Sequence, residues 1–143
     1  MDALDLTTRP PRSPRELLPG LNLLMMARTV DKLRATLPGG NLGTYQISGF
    51  SSRLLDVLGI AEHELRAEIE RAGTDAEVAA WIREHTDPSR FDEINAKLEG
   101  PTVGERLGDE AFMRRYPIAK TLAPQTSRLD LLTADDAEMF VQP

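Results

Sequence analysis

Along residues 22–37 the apolar positions Leu23, Met26, Val30, Leu33 and Leu37 recur at alternating spacings of three and four. That spacing predicts a helix with one continuous apolar stripe. Asn22 stands where an N-cap is expected, and Pro38-Gly39-Gly40-Asn41 ends the helix. Upstream, Pro10, Pro11, Pro14 and Pro19 fix φ and bias the residues before them toward extended geometry, so residues 1–20 read as an extended arm. Downstream, residues 43–48 alternate weakly. No second strong strand exists to pair with them, so an ordered loop is expected there.

A closely punctuated helical series follows. Ser51 reads as the cap of a short helix with Phe50 and Leu55 as a hydrophobic staple, and Gly59 is the left-handed C′ residue with Ile60 folding back on Leu55. A second helix spans about residues 62–72 with Leu65 and Ile69 on one face. Thr74-Asp75-Ala76-Glu77 is a capping box, and Val78, Trp81, Ile82 and His85 follow at i, i+3, i+4 and i+7. Asp87 then caps a helix beginning at Pro88 and ending at Gly100, with Phe91, Ile94 and Leu98 inward.

Beyond Gly100 the frequency of glycine and proline permits only short pieces. Two are predicted, near residues 109–116 and near residues 134–140, the latter capped by Thr133. The expected fold class is all-α: a compact bundle of four main helices with a proline-rich N-terminal arm and a C-terminal wrap of short helices. We read residues 1–143 as one helical domain, with an arm (1–20), a core (21–100) and a docking tail (101–143).

Composition narrows the functional classes. The 143 residues carry a formal charge of −6, which argues against general binding to nucleic acid or to anionic membrane surfaces. No cysteine is present, so disulfides, thiolate metal sites and thiol catalysis are excluded and a cytoplasmic location is expected. The longest apolar run, residues 23–27, is far shorter than a membrane span, and residues 1–10 lack the apolar run of a signal peptide.

Nearly all of the clustered positive charge lies on the arm, with Arg9, Arg12 and Arg15, and on the first helix, with Arg28, Lys32 and Arg34 around Asp31. Arg28 and Lys32 fall opposite the apolar stripe, whereas Leu21, Leu24 and Met25 extend that same outer face toward the N-terminus. Two readings stand. In one, Arg28, Asp31, Lys32, Arg34 and Arg12 form an anion site, with Asp31 holding an arginine in place. In the other, the face is solvated and laced by ordinary i,i+3 and i,i+4 pairs.

Other candidates have structural explanations. His85, Asp87 and Ser89 are adjacent, but no nucleophile elbow accompanies them; His85 suits a helix C-terminus and Asp87 a cap. His63-Glu64 lacks the second histidine of a zinc-protease motif, so neither metal nor other cofactor is expected. Gly39 to Gly43 follows a helix, whereas phosphate loops precede one. Pro11-Arg12-Ser13-Pro14 is a P-x-x-P string that also pre-orders an arm for packing on its own fold. Trp81, Tyr45, Phe50 and Phe91 read as core anchors or as pocket walls.

Several of these segments together carry a family resemblance: Leu6-Thr7, Arg9 to Pro14, Ala27 to Lys32, Arg34-Ala35, Gly59-Ile60 and the stretch around Trp81. Over about residues 4–100 the chain resembles a group of small bacterial proteins classed as domain of unknown function 5069. The resemblance implies that the arm and the Asp31-Lys32 helix belong to one recurring unit, and it carries across no catalytic residue. Ala61 stands where relatives would have an acidic cap. The expected function is a non-enzymatic interaction or regulatory module whose partner protein meets the arm and the outer face of residues 21–36. The alternative is a binding protein or enzyme for a small phosphorylated or carboxylated metabolite held by Arg28, Lys32 and Arg34. Leu21, Leu24 and Met25 would serve a homodimer.

Overall fold

The first apolar stripe forms helix α1, Met26–Arg34, which is shorter than its periodicity and is buried on every side. Met26, Ala27, Val30 and Leu33 supply the apolar face, but Arg28, Thr29, Asp31 and Lys32 are buried as well. Asn22 is not the cap. The helix starts four residues later, after Met25 in the left-handed region at φ 69°. The preceding backbone is satisfied by tertiary partners instead. Met25 N–H donates to Pro14 O at 2.8 Å, Leu24 N–H to Asn95 Oδ1 at 2.9 Å, and Asn95 Nδ2 to Asn22 O at 2.9 Å. Those contacts offset the strain of a bulky residue at positive φ, which costs of order 1–3 kcal/mol.

The computed structural model describes residues 1–140, and these hold seven α-helices and no strand. The chain is all-α, as the periodicity predicts. It packs as two units, Met1–Asn95 and a second beginning at Ala96, so the division falls inside one helix.

In the first unit α1 is the hub, lying against α2 (Phe50–Leu58) and α3 (Glu62–Arg71), and α3 lies against α4 (Asp75–Glu84). The arm is folded down rather than free. Leu4, Leu6 and Leu18 are buried, and Leu6 N–H donates to Asn41 O at 2.8 Å while Asn41 N–H returns to Leu4 O at 2.9 Å. This is an isolated bridge to the turn after α1, not a sheet.

Local signals hold where local chemistry suffices. Gly59 is left-handed at φ 75° and Ile60 N–H donates to Leu55 O at 3.0 Å. Thr74 accepts from Glu77 N–H at 3.2 Å, although the Glu77 carboxylate accepts from Gly73 rather than from the cap itself. The expected Ser51 cap is corrected: Gly49 is the N-cap of α2, and Ser51 is buried inside the helix with its hydroxyl 2.9 Å from that of Thr29. Ala61 precedes α3 without a side-chain cap. Asp87 accepts from Ser89 N–H at 3.1 Å, but Pro88–Arg90 is a 3-10 turn leading into α5, Phe91–Glu99.

The second unit holds α6 (Glu110–Arg115), a 3-10 turn Pro117–Thr121, and α7 (Arg128–Met139). Val103, Ala119 and Leu131 centre a small core, with Phe112, Met113, Tyr116, Ile118 and Leu122 packed on it. Thr133 is not a cap. Ser127 takes that role, accepting from Leu129 N–H at 3.1 Å, so the last helix begins six residues earlier than predicted.

Candidate functional site

The cationic arm and the polar residues of α1 come together. Arg12 is clamped from two sides: its backbone N–H donates to Asp31 Oδ2 at 2.8 Å, and its Nε and Nη2 reach the same carboxylate at 3.0–3.2 Å. Its Nη1 and Nη2 also fork onto Asp75 at 2.8 and 3.2 Å. Desolvation opposes the Arg12 charge, but the hydrogen bonds to Asp75 and Asp31 and their Coulombic attraction outweigh it and hold the guanidinium above an arginine's ordinary pKa. Arg34 lies 3.9 Å from Asp31 and donates through Nε to Asp2 O at 2.8 Å. Asp31 thus joins the arm to α1. Nothing in the sequence pointed to Asp75 as a partner, since its place in the first turn of α4 is explained locally.

Arg28 and Lys32 are interior, not solvated, with exposures of 2% and 7%. The solvated-face reading is overturned for both. They flank one ring: the Arg28 guanidinium is 5.5 Å and the Lys32 ammonium 6.0 Å from the centroid of buried Tyr45. Arg28 Nη1 donates to Arg12 O at 3.4 Å and Lys32 Nζ to Gln46 O at 2.9 Å. The loop after α1 is therefore held by the helix it follows. Leu21 and Met25, expected on an outer face, are buried within one chain and Leu24 is half-buried. Burial there removes the docking face that periodicity had placed on residues 21–25.

A different surface is open. Between α3 and α4 lies a cleft of about 570 Å3 lined by Glu64, Ala67, Glu68, Arg71, Trp81 and His85. Trp81, the chain's single tryptophan, is half-buried, and the exposed His85 ring stacks on it at 4.1 Å between centroids with 21° between planes. His85 Nδ1 lies 2.7 Å from Trp81 O, which requires that nitrogen to carry the proton and leaves Nε2 as the ring's acceptor in its neutral form. Glu68 is buried and accepts from Arg71 Nε at 2.9 Å and from its Nη2. Hydrogen bonding to Glu68, assisted by its charge, holds the exposed Arg71 guanidinium above its ordinary pKa. Of this cleft the sequence had marked Trp81 as a core anchor or a pocket wall and His85 as a helix-end residue. Ala67, Glu64, Glu68 and Arg71 carried no signal, because only the packing of α3 on α4 brings them to the indole.

The aromatic side chains divide. Tyr45 and Phe91 are core residues, Phe50 is half-buried beneath the Arg53 guanidinium at 5.9 Å, and Trp81 is the wall of the cleft. Asp87 and Ser89 pair with each other, while His85 is engaged with Trp81. No group of three or more His, Asp or Glu side chains among the described residues is placed to hold a metal ion.

This architecture, an all-α chain whose arm is ion-paired onto a buried, charged helix, has a family. The chain belongs to the family described as domain of unknown function (DUF5069), whose model matches residues 8–137. That span takes in the arm from residue 8 onward, α1 and the cleft. A comparison with curated proteins finds no match. No helix among the described residues is long and apolar enough to cross a membrane.

Proposed function

We propose that this chain is a non-enzymatic interaction module whose partner meets the cleft between α3 and α4. One observation carries the reading: the only tryptophan of the chain stands half-open in a cleft beside charged side chains, while the other apolar anchors of α3 and α4, Leu65, Ile69, Val78 and Ile82, are buried. Tryptophan is among the residues that dominate the energetics of protein interfaces, and Trp81 lines this cleft. Covering the part of Trp81 still exposed, less than about 90 Å2, is worth about 1–2 kcal/mol at about 25 cal/mol per Å2. A photoreactive residue placed at Ala67 tests the reading in cells. The expected result is one defined adduct that disappears on Trp81→Ala and is not obtained from a photoreactive residue at the exposed position Arg53. Equal labelling from Ala67 and Arg53, or no adduct, would refute it.

A second reading, small-anion binding at Arg28, Lys32 and Arg34, is favoured by the placement of two cations over one tyrosine ring. Their burial limits such a ligand to a small, enclosed anion of the phosphate or carboxylate class. Thermal unfolding with inorganic phosphate and with small carboxylates tests it. A ligand at a hundred times its Kd adds about 2.7 kcal/mol, and that gain should vanish in Arg28→Ala.

A further inference from the structure

The chemistry of the cleft specifies the kind of partner. Residues 62–85, which build both of its walls, contain seven carboxylates and three arginines, a net charge of −4 against −6 for the whole chain. Asp75 is offset by Arg12 and Glu68 by Arg71, which leaves Glu64 as the exposed carboxylate of the cleft lining. Within it the cationic side chain is already committed, since Arg71 is held by buried Glu68. Glu64 is exposed, and His85 Nδ1 is engaged with Trp81 O. The apolar part of the lining comes from Ala67 and the indole of Trp81. Aliphatic stems ending in cations match this pattern: their methylenes cover the indole, and their charged heads meet Glu64 and the acidic field.

We propose that the α3–α4 cleft receives a lysine- and arginine-rich segment of a partner protein. The proposal rests on the reading of the chain as an interaction module and names the chemistry of its partner. An open cleft encloses no small cation, so affinity must come from several side chains on one segment acting over the spread of charge along both helices.

Because Trp81 is the only tryptophan, its fluorescence reports directly on the cleft. Octalysine is titrated into the full chain, with octaglutamate and a neutral leucine-bearing octapeptide as comparisons. The expected result is a saturable change with octalysine that weakens about tenfold in Glu64→Lys and on raising salt from about 50 to 300 mM, but persists in Asp56→Lys, which makes the same charge change on α2. Far-UV circular dichroism and thermal unfolding check that each variant is folded. The salt titration on unaltered protein stands whether or not Glu64→Lys folds.

An octalysine response indifferent to both salt and Glu64→Lys would overturn the proposal, as would tighter binding of octaglutamate or of the neutral peptide. If octalysine gives no response while the Ala67 cross-link still forms and still depends on Trp81, the basic partner is refuted and the module reading stands. Loss of the fluorescence response and of the cross-link together would refute both.

Discussion

Asp31 ties three parts of the first unit, and removing its charge measures what that tie contributes. Its side chain is 7% exposed and faces the backbone N–H and guanidinium of Arg12, with Arg34 at 3.9 Å. Breaking a buried ion pair from one side costs about 3–5 kcal/mol, because the other charge stays desolvated. Here the cost lies toward the lower end, since the Arg12 side chain is 24% exposed and keeps Asp75 as a second partner. The Arg12 backbone N–H, left without its acceptor, adds about 1 kcal/mol. Asp31→Ala is expected to cost about 3–4 kcal/mol, or roughly 10 °C in Tm for a chain of this size. Asp31→Asn retains an oxygen for the backbone N–H and should cost about 2 kcal/mol. Urea denaturation of both variants, with Arg12→Ala and the double variant closing a cycle, gives the coupling directly. The Glu62–Arg66 pair on α3 is the surface reference: Glu62 is 45% exposed there, and Glu62→Ala should cost less than about 1 kcal/mol. If Asp31→Asn proves no more costly than Glu62→Ala, the arm is not held by a buried ion pair and the argument fails.

Further outcomes are expected. Gly40→Ala should be far more damaging than Gly39→Ala, because a Cβ at Gly40 would stand 2.5 Å from the backbone oxygen of Ala35, whereas Gly39 has open space and only its positive φ of 88° to resist; denaturant midpoints compare them. Hydrogen bonds from the Ser89 hydroxyl and then its backbone N–H hold the Asp87 carboxyl below the ordinary aspartate value of 3.8. The resulting stabilisation is complete above the unfolded-state value and is lost as pH falls through the lower folded-state value, so Ser89→Ala should raise the Asp87 titration midpoint seen by carboxyl NMR. Leu131→Ala, at the centre of the second unit's core, should cost about 2–5 kcal/mol, measured as loss of thermal stability.

How much of this was legible depends on the range of each interaction. The capping box at Thr74, the left-handed Gly59 and the Asp87 cap are contacts within a few residues, so their chemistry could be read along the chain. The start of α1 was not legible. Asn22 has the right chemistry for a cap, but the backbone there is satisfied by Asn95, some seventy residues away, and by Pro14 of the arm. At the last helix, Ser127 and Thr133 are equally suited to capping, and packing about Leu131 selected the earlier one.

The candidate site divides in the same way. Residue pattern alone determined the helical class, the family resemblance and the gathering of cationic residues on the arm and α1. Periodicity assigns each residue an angle on its helix but cannot say what covers that angle, so only tertiary structure decided that Arg28 and Lys32 are interior. The same limit separates Asp75 from Arg12, which are joined by a 2.8 Å hydrogen bond across 63 positions. The cleft at Trp81 needs two helices packed at one distance and one rotation, a relation between surfaces that no spacing along a single chain encodes.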